Sequence, residues 1–359
     1  MMTRCMITAE IGCNHNGSEE LARKMVDAAA RCGVDAVKFQ TFHSDLFISR
    51  YAPKAPYQKR TTGERDSQLE MTRALELPED SYIRLRDYAV SLGLKAFSTP
   101  FDEKAVDFLA GLSQRIWKIP SGEITNRPLL ERIRDAVPAD GEILLSTGMA
   151  EPEEIEGALK ILELRDEDAL EGDGEHAPKI ALLHCHTAYP TRDEDMNLLA
   201  IRDLKARFPG YDIGLSDHST GCVGPVAAVA FGIRYLEKHF TLNRDLPGPD
   251  HQASVTPEEL ARICEEVRRA ETMMGDGRKH RTESEAENLN IARKSIVAAG
   301  EIRRGESFSE EKLACKRPGG GISPMLWNEV IGRKAERDFA PDEFIEIEGL
   351  ADGQTGGAS

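Results

Sequence analysis

The chain has 359 residues, 46 of them basic and 62 acidic, giving a formal charge of −16 and a pI near 5.1. An acidic surplus of this size speaks against a nucleic-acid groove or an anionic membrane as partner, and leaves room for a local basic pocket that binds a small anion. No stretch approaches the ~20 apolar residues of a membrane span, and the seven scattered cysteines form no C-x-x-C pair, so reduced thiols and a cytoplasmic location are expected.

Eight short apolar runs follow one another along the chain, at residues 6–12, 36–42, 95–101, 116–122, 142–148, 180–186, 212–219 and 235–241. Segments with helical spacing separate them; Leu21, Met25, Ala28, Ala29 and Cys32 share one face. The last helix is expected over 255–275, where Thr256, Pro257 and Glu259 form a capping box with proline at the first position. Eight strand-then-helix units in this length are the count of a closed (β/α)8 TIM barrel. An open doubly wound sheet is the alternative, but its G-x-G-x-x-G loop is absent. The connection 43–77 far exceeds the usual ~2–6 residues, and its polar and aromatic content suggests a loop covering substrate. Beyond a barrel domain of residues 1–275, a charged linker is expected at 276–290. A compact β-rich unit follows at 291–349, then a disordered tail at 350–359.

In such a barrel, function gathers at the C-terminal ends of the strands, and those ends are polar. Alternation puts Lys38 with Gln40, Ser216 with His218, and Glu237 with His239 on common faces. Lys38 and Lys118, with Ser121, Ser146, Thr147 and Ser216 nearby, suit a phosphate or carboxylate anion. A carboxylate-paired lysine or a Schiff base remains the alternative. His218 and His239 end neighbouring strands and, with Glu10 and water, could form a two-histidine divalent metal site with open positions. Alternatively, each is a satisfied core or rim histidine. Asp250 sits in the loop after the eighth strand.

The segments AEIGCNHNGS, AVKFQTF, FSTPFDE, IWKIPSGE, LSTGM, LHCHTAYPT, GLSDHS and EKHFTL together resemble the bacterial N-acetylneuraminate (sialic acid) synthase family. ARKSIVA, KRPGGGISP and IGRKA resemble that family's C-terminal antifreeze-like SAF domain. The resemblance implies condensation of phosphoenolpyruvate with an N-acetylated hexose, typically N-acetylmannosamine, in a homodimer whose SAF domains are exchanged over the partner's barrel. It implies that Lys38, Thr99, Lys118, Ser121, Ser146 and Ser216 hold phosphoenolpyruvate. His218 and His239 would bind Mn2+ or Mg2+, and Glu10, Gln40, Tyr189, Asp250 and Arg317 would contact the sugar. Thr187 departs from the family's usual Asn or Ser. A sister synthase making legionaminic or pseudaminic acid from a diacetamido-trideoxy hexose is the alternative, and a non-enzymatic carbohydrate-binding protein a distant one.

Overall fold

The computed structural model describes residues 4–164 and 178–350; the expected tail, from 351 on, lies outside the described residues. The chain divides into two compact units, Met1–Asp276 and Gly277–Ser359.

The first unit alternates strands and helices. In order they are β1 (Met6–Gly12), α1 (Glu19–Cys32), β2 (Ala36–Thr41), α2 (Ser44–Phe47), α3 (Pro56–Thr62), α4 (Gln68–Arg73), α5 (Glu79–Ser91), β3 (Lys95–Pro100), α6 (Glu103–Gly111) and β4 (Ile116–Ile119). Then come α7 (Arg127–Ala136), β5 (Glu142–Ser146), α8 (Pro152–Glu163), β6 (Lys179–Cys185), α9 (Ala200–Arg207), β7 (Asp212–Asp217), α10 (Val223–Val229), β8 (Tyr235–His239) and α11 (Pro257–Met273). Among the described residues the strands form one eight-stranded parallel sheet, ordered β3-β2-β1-β8-β7-β6-β5-β4. This is the TIM-type barrel expected from the strand count.

Local chemistry sets the helix limits. Ser18 caps α1 by accepting from the Leu21 N–H, and Gly33 ends it at φ 81°. Thr256 and Glu259 cap α11, which buries Leu260, Ile263, Cys264, Val267 and Ala270. Of these, Leu260, Ile263 and Val267 contribute about 1.5–3 kcal/mol each. Most of the core lies between strands and helices. Inside the barrel, a smaller cluster of Ala36, Phe97, Leu144, Ala181, Leu183 and Tyr235 fills the base. Following the same face upward, Ala36 gives way to Lys38 and Gln40, Leu144 to Ser146, and Tyr235 to Glu237 and His239. Period-two alternation thus places a polar layer directly above an apolar plug.

No hydrogen-bonded ladder joins β3 to β4. Gln114 bridges them with its side chain: Oε1 accepts from Ser98 N at 2.8 Å and Nε2 donates to Ser98 O at 2.9 Å. The Gln114 carbonyl is held in turn by the Trp117 indole N–H at 2.8 Å. A side-chain amide thereby supplies the pairing that a strand residue usually makes.

The connection after β2 is not a plain loop. It folds into α2, α3 and α4, held by a Ser67–Glu70 capping box and by Lys54, whose Nζ donates to Thr62 Oγ1 and Gly63 O at 3.0 Å. The expected linker differs too. In the second unit, α12 (Glu283–Ala286) and α13 (Leu289–Ala292) occupy part of it, single turns too short to leave a periodic signal. β9 (Ser295–Ala298) and β10 (Leu313–Lys316) then pair antiparallel, with bridges Val297 to Phe344, Ile302 to Phe339 and Ser307 to Lys334, before α14 (Trp327–Val330). Ile296, Ile302, Phe308, Val330, Phe339 and Ile345 form this unit's own core. Among the described residues, no helix is long and apolar enough to cross a membrane.

Candidate active site

The strand register assembles the site. Glu10 on β1 lies level with Lys38 on β2 and with His239 on β8; Gln40 pairs with Thr99, Cys185 with Ser216, and Ser216 with Glu237. Their side chains converge on a cavity of about 280 Å³ at the C-terminal mouth. Of the residues expected from the sequence, Glu10, Lys38, Gln40, Thr99, Lys118, Ser121, Ser146, Tyr189, Ser216, His218, His239 and Asp250 all line it. Arg317 does not: it lies exposed in the second unit.

The floor is a chain of alternating charge. Lys38 Nζ sits 2.7 Å from Glu10 Oε2 and 3.7 Å from Glu237 Oε1, and donates to Thr99 Oγ1 at 3.0 Å. Lys118 Nζ approaches the same Glu237 oxygen at 3.4 Å, and Ser216 Oγ donates to it at 3.3 Å. All four charged groups are buried. Burial pushes the Glu10 carboxyl up to about 7, against the pull of Lys38 and with the push of Glu237. Burial also pulls Lys118 down, whereas Glu10 and Glu237 overcome it at Lys38 and hold that ammonium charged. Glu237 is held below the ordinary carboxylate range because Lys118 and Lys38 outweigh its burial. Lys38, engaged this closely by carboxylates, is a charge donor and not the neutral amine that a Schiff base requires.

Two glycines let this layer close up. Gly12 stands at φ 51°, and a Cβ there would meet Glu10 Oε1 at 2.7 Å. A Cβ on Gly148 would meet Ser121 Oγ at 2.7 Å and the Thr187 methyl at 2.8 Å; Gly148 N instead donates to Ser121 Oγ at 3.0 Å. Thr187, the departure noted in the sequence, therefore packs its methyl at the cavity wall.

Above the floor lie the histidines, with ring centroids 5.1 Å apart. His218 Nδ1 donates to the His186 carbonyl at 2.5 Å, which leaves Nε2 as the ring's acceptor nitrogen. Burial and the neighbouring cations hold His239 well below the ordinary imidazole range, and its Nδ1 has no hydrogen-bond partner among the described residues. Asp250 Oδ2 stands 3.8 Å from that nitrogen and accepts from Cys13 Sγ at 3.4 Å; its Oδ1 finds no hydrogen-bond partner among the described residues. Tyr189 stacks on His218 at 4.1 Å and carries Tyr57 of α3 on its other side at 5.0 Å.

Among the described residues no group of three or more His, Cys, Asp or Glu could hold a metal ion by itself. Glu10 does not complete such a set, since Lys38 and Gln40 engage its two oxygens. The donors nonetheless fit a divalent ion bound by few protein ligands: one neutral imidazole with an orphaned nitrogen, and one oriented by a backbone carbonyl.

Sequence reasoning gave no role to Glu237, Tyr57, Cys13 or Cys185, all of which line the cavity. Glu237 had a signal, its alternation with His239. Tyr57 opens the family-like segment that runs from YQ to SQLEMT in the long insertion, which marked the segment without giving this residue a role.

The sequence matches the NeuB family over residues 25–279 and the SAF domain over residues 293–351. The N,N'-diacetyllegionaminic acid synthase of Campylobacter jejuni is 44% identical, over 96% of this chain and 99% of its own length. The N,N'-diacetyllegionaminic acid synthase of Legionella pneumophila is 39% identical, over 94% and 92%. The crystal structure of N-acetylneuraminic acid (sialic acid) synthetase from Leptospira borgpetersenii, in complex with citrate, superposes with a TM-score of 0.66 at 32% identity, covering 80% of this chain and 90% of that one.

Proposed function

The chain belongs to the NeuB family and carries a SAF domain, and from that premise we propose that it is a phosphoenolpyruvate-dependent nonulosonic acid synthase whose acceptor is a diacetamido-trideoxy hexose. The product is then N,N'-diacetyllegionaminic acid, with release of inorganic phosphate. This replaces the N-acetylmannosamine acceptor expected from the sequence. Synthases of the diacetyl acid stand at 44% and 39% identity, against 32% for the N-acetylneuraminic acid synthetase.

The observation that carries the chemistry is the buried floor of Lys38 and Lys118 ringed by Thr99, Ser121, Ser146 and Ser216. Two ammonium groups and several hydroxyls make a site for a small, highly charged anion, where charge-assisted hydrogen bonds are strongest. The acidic body cannot attract phosphoenolpyruvate by its overall field, so this local cluster supplies the attraction.

In the proposed reaction the methylene carbon of phosphoenolpyruvate attacks the aldehyde carbon of the open-chain sugar. Water adds to the resulting cationic carbon, and the carbon–oxygen bond to phosphate then breaks. Mn2+ or Mg2+ held by His218 and His239 would supply Lewis-acid polarisation of the aldehyde oxygen. Lys38 and Lys118 hold the phosphate and carboxylate. Glu10, poised near neutrality, takes the proton from the attacking water. Gln40 orients Glu10 through a 2.8 Å hydrogen bond. Tyr189 and Asp250 bound the acceptor, and Tyr57 with the α2–α4 insertion excludes water. Arg317 completes the acceptor site from the partner chain of a homodimer.

The test is phosphate release from phosphoenolpyruvate over a panel of acceptors, with and without EDTA. Turnover should be highest with the diacetamido-trideoxy hexose and vanish with chelator. Faster turnover of N-acetylmannosamine would sink the acceptor assignment, and no phosphate from any acceptor would sink the synthase.

A further inference from the structure

The charged floor and the histidines do not account for the whole cavity. Beyond Lys38, Gln40 and Thr99, the wall past the ends of β2 and β3 is apolar, lined by Phe42, Phe47, Ile48, Met71, Leu75 and Phe101. Phe42 and Phe101 directly follow β2 and β3, whereas Phe47 and Met71 belong to α2 and α4 of the insertion. The three rings pack against one another with centroids 5.3 to 6.2 Å apart. The polar neighbours Thr72, Gln58 and Gln68 bond within the insertion: Thr72 Oγ1 donates to Gln68 O at 2.9 Å, Gln58 Oε1 accepts from Ala55 N at 2.9 Å and from Gln68 Nε2 at 3.5 Å, and Gln58 Nε2 donates to Tyr57 OH at 3.5 Å. The wall therefore offers mainly C–H surface.

A sugar hydroxyl pressed against such a wall loses water and finds no partner, whereas a methyl group in the same place gains contact. Elsewhere in the cavity, Asp250, Tyr189 and the floor are where hydroxyl and amide groups find hydrogen bonds. We propose that this wall of Phe42, Phe47, Ile48, Met71, Leu75 and Phe101 selects the acceptor: it receives the deoxygenated methyl carbon of a 6-deoxy hexose and disfavours the same sugar carrying a 6-hydroxyl. The assignment rests on the acceptor class given above and names the surface that enforces it.

The experiment compares kcat/KM for 2,4-diacetamido-2,4,6-trideoxy hexose and for its 6-hydroxy counterpart, at fixed phosphoenolpyruvate and Mn2+, with phosphate release as readout. The native enzyme should favour the deoxy sugar by about 10- to 100-fold, the range a few atoms in an apolar pocket can supply. Phe47→Gln should bring the ratio toward unity, and Phe47→Leu, which keeps the wall apolar, should retain it. Equal kcat/KM for the two sugars in the native enzyme overturns the wall while leaving the synthase standing; so does a full preference surviving in folded Phe47→Gln. No phosphate from either sugar overturns the synthase, and the wall with it. The native ratio decides alone should Phe47→Gln not fold.

Discussion

Lys238 and Asp217 meet at 2.6 Å on adjacent strands, one place along from the site residues of each, and both are almost fully buried. Asp217 also accepts from Ser219 N at 2.8 Å, and Lys238 donates to the Ser219 carbonyl. Because they alternate with Ser216 and His218, and with Glu237 and His239, this outward pair fixes the strand ends that carry the inward groups. Removing one member strands the other charge without solvent. Asp217→Asn or Lys238→Met should each lower the unfolding free energy by about 3–5 kcal/mol, and the apolar double variant Asp217→Leu/Lys238→Met by much less. Urea denaturation of the three variants measures this; single variants no worse than the double would show that the pair does not secure the strands.

Glu10 gives the enzyme a pH signature. Its folded-state value of about 7 lies above the ordinary 4.5, so folding takes up a proton. Its contribution to stability is therefore fully present below about pH 4.5 and is lost as pH rises through about 7. For catalysis the sign is opposite, because the base role proposed for Glu10 needs it ionised: kcat/KM should rise with pH through about 7. Glu10→Gln should remove that acidic limb and cost about 10²–10⁴-fold in turnover. A pH profile of phosphate release under saturating metal checks both, and an unchanged limb in the variant would exclude Glu10 as its source.

The orphaned nitrogen of His239 predicts a metal dependence separable from turnover. EDTA should abolish phosphate release and Mn2+ should restore it. In His239→Ala, Mn2+ affinity followed by electron paramagnetic resonance should fall by more than the about 10–100-fold that losing a ligand's own hydrogen-bond partner costs. Unchanged Mn2+ binding in the variant would place the ion elsewhere.

How much of this was legible in the sequence depends on which interactions are local. Period-two alternation is local, so Lys38 with Gln40 and Glu237 with His239 could be assigned to one face, and the polar strand ends located the mouth. The partner of Lys118 could not be found in this way, because Glu237 lies 119 residues further along and meets it only when the barrel brings both side chains to its axis. The insertion escaped for a different reason. Helices of four to seven residues, such as Ser44–Phe47 and Pro56–Thr62, carry no periodicity, so Tyr57 gave no sign that it would stack on Tyr189.

Gln114 is a further case in which a single side chain replaces backbone pairing. Gln114→Ala leaves the Ser98 N–H and C=O without partners in a buried place and should cost about 2–5 kcal/mol. Gln114→Glu keeps an acceptor for Ser98 N and loses the donor to Ser98 O, so it should fall between. Thermal unfolding of the two variants checks the order; a neutral Gln114→Ala would mean that the β3–β4 edge closes without the clip.

Arg317 tests the proposed homodimer. It lies outside the barrel's cavity lining, so if it serves the acceptor it does so from the second unit. Arg317→Ala should raise the KM for the acceptor while leaving that for phosphoenolpyruvate nearly unchanged, because the proposed site assigns the anion to Lys38 and Lys118. Lys118→Met should be inactive through its own barrel yet keep an intact second unit. If Arg317 acts across the dimer, mixing the two variants restores activity: random exchange at equal concentrations makes about half of the dimers hybrid, each with one complete site, so roughly a quarter of all sites recover. If Arg317 acts within its own chain, or not at all, no complete site can arise by exchange. Acceptor saturation curves of the mixture, with subunit exchange verified by native mass spectrometry, distinguish the two, and a mixture no more active than Arg317→Ala alone would rule out action across the dimer.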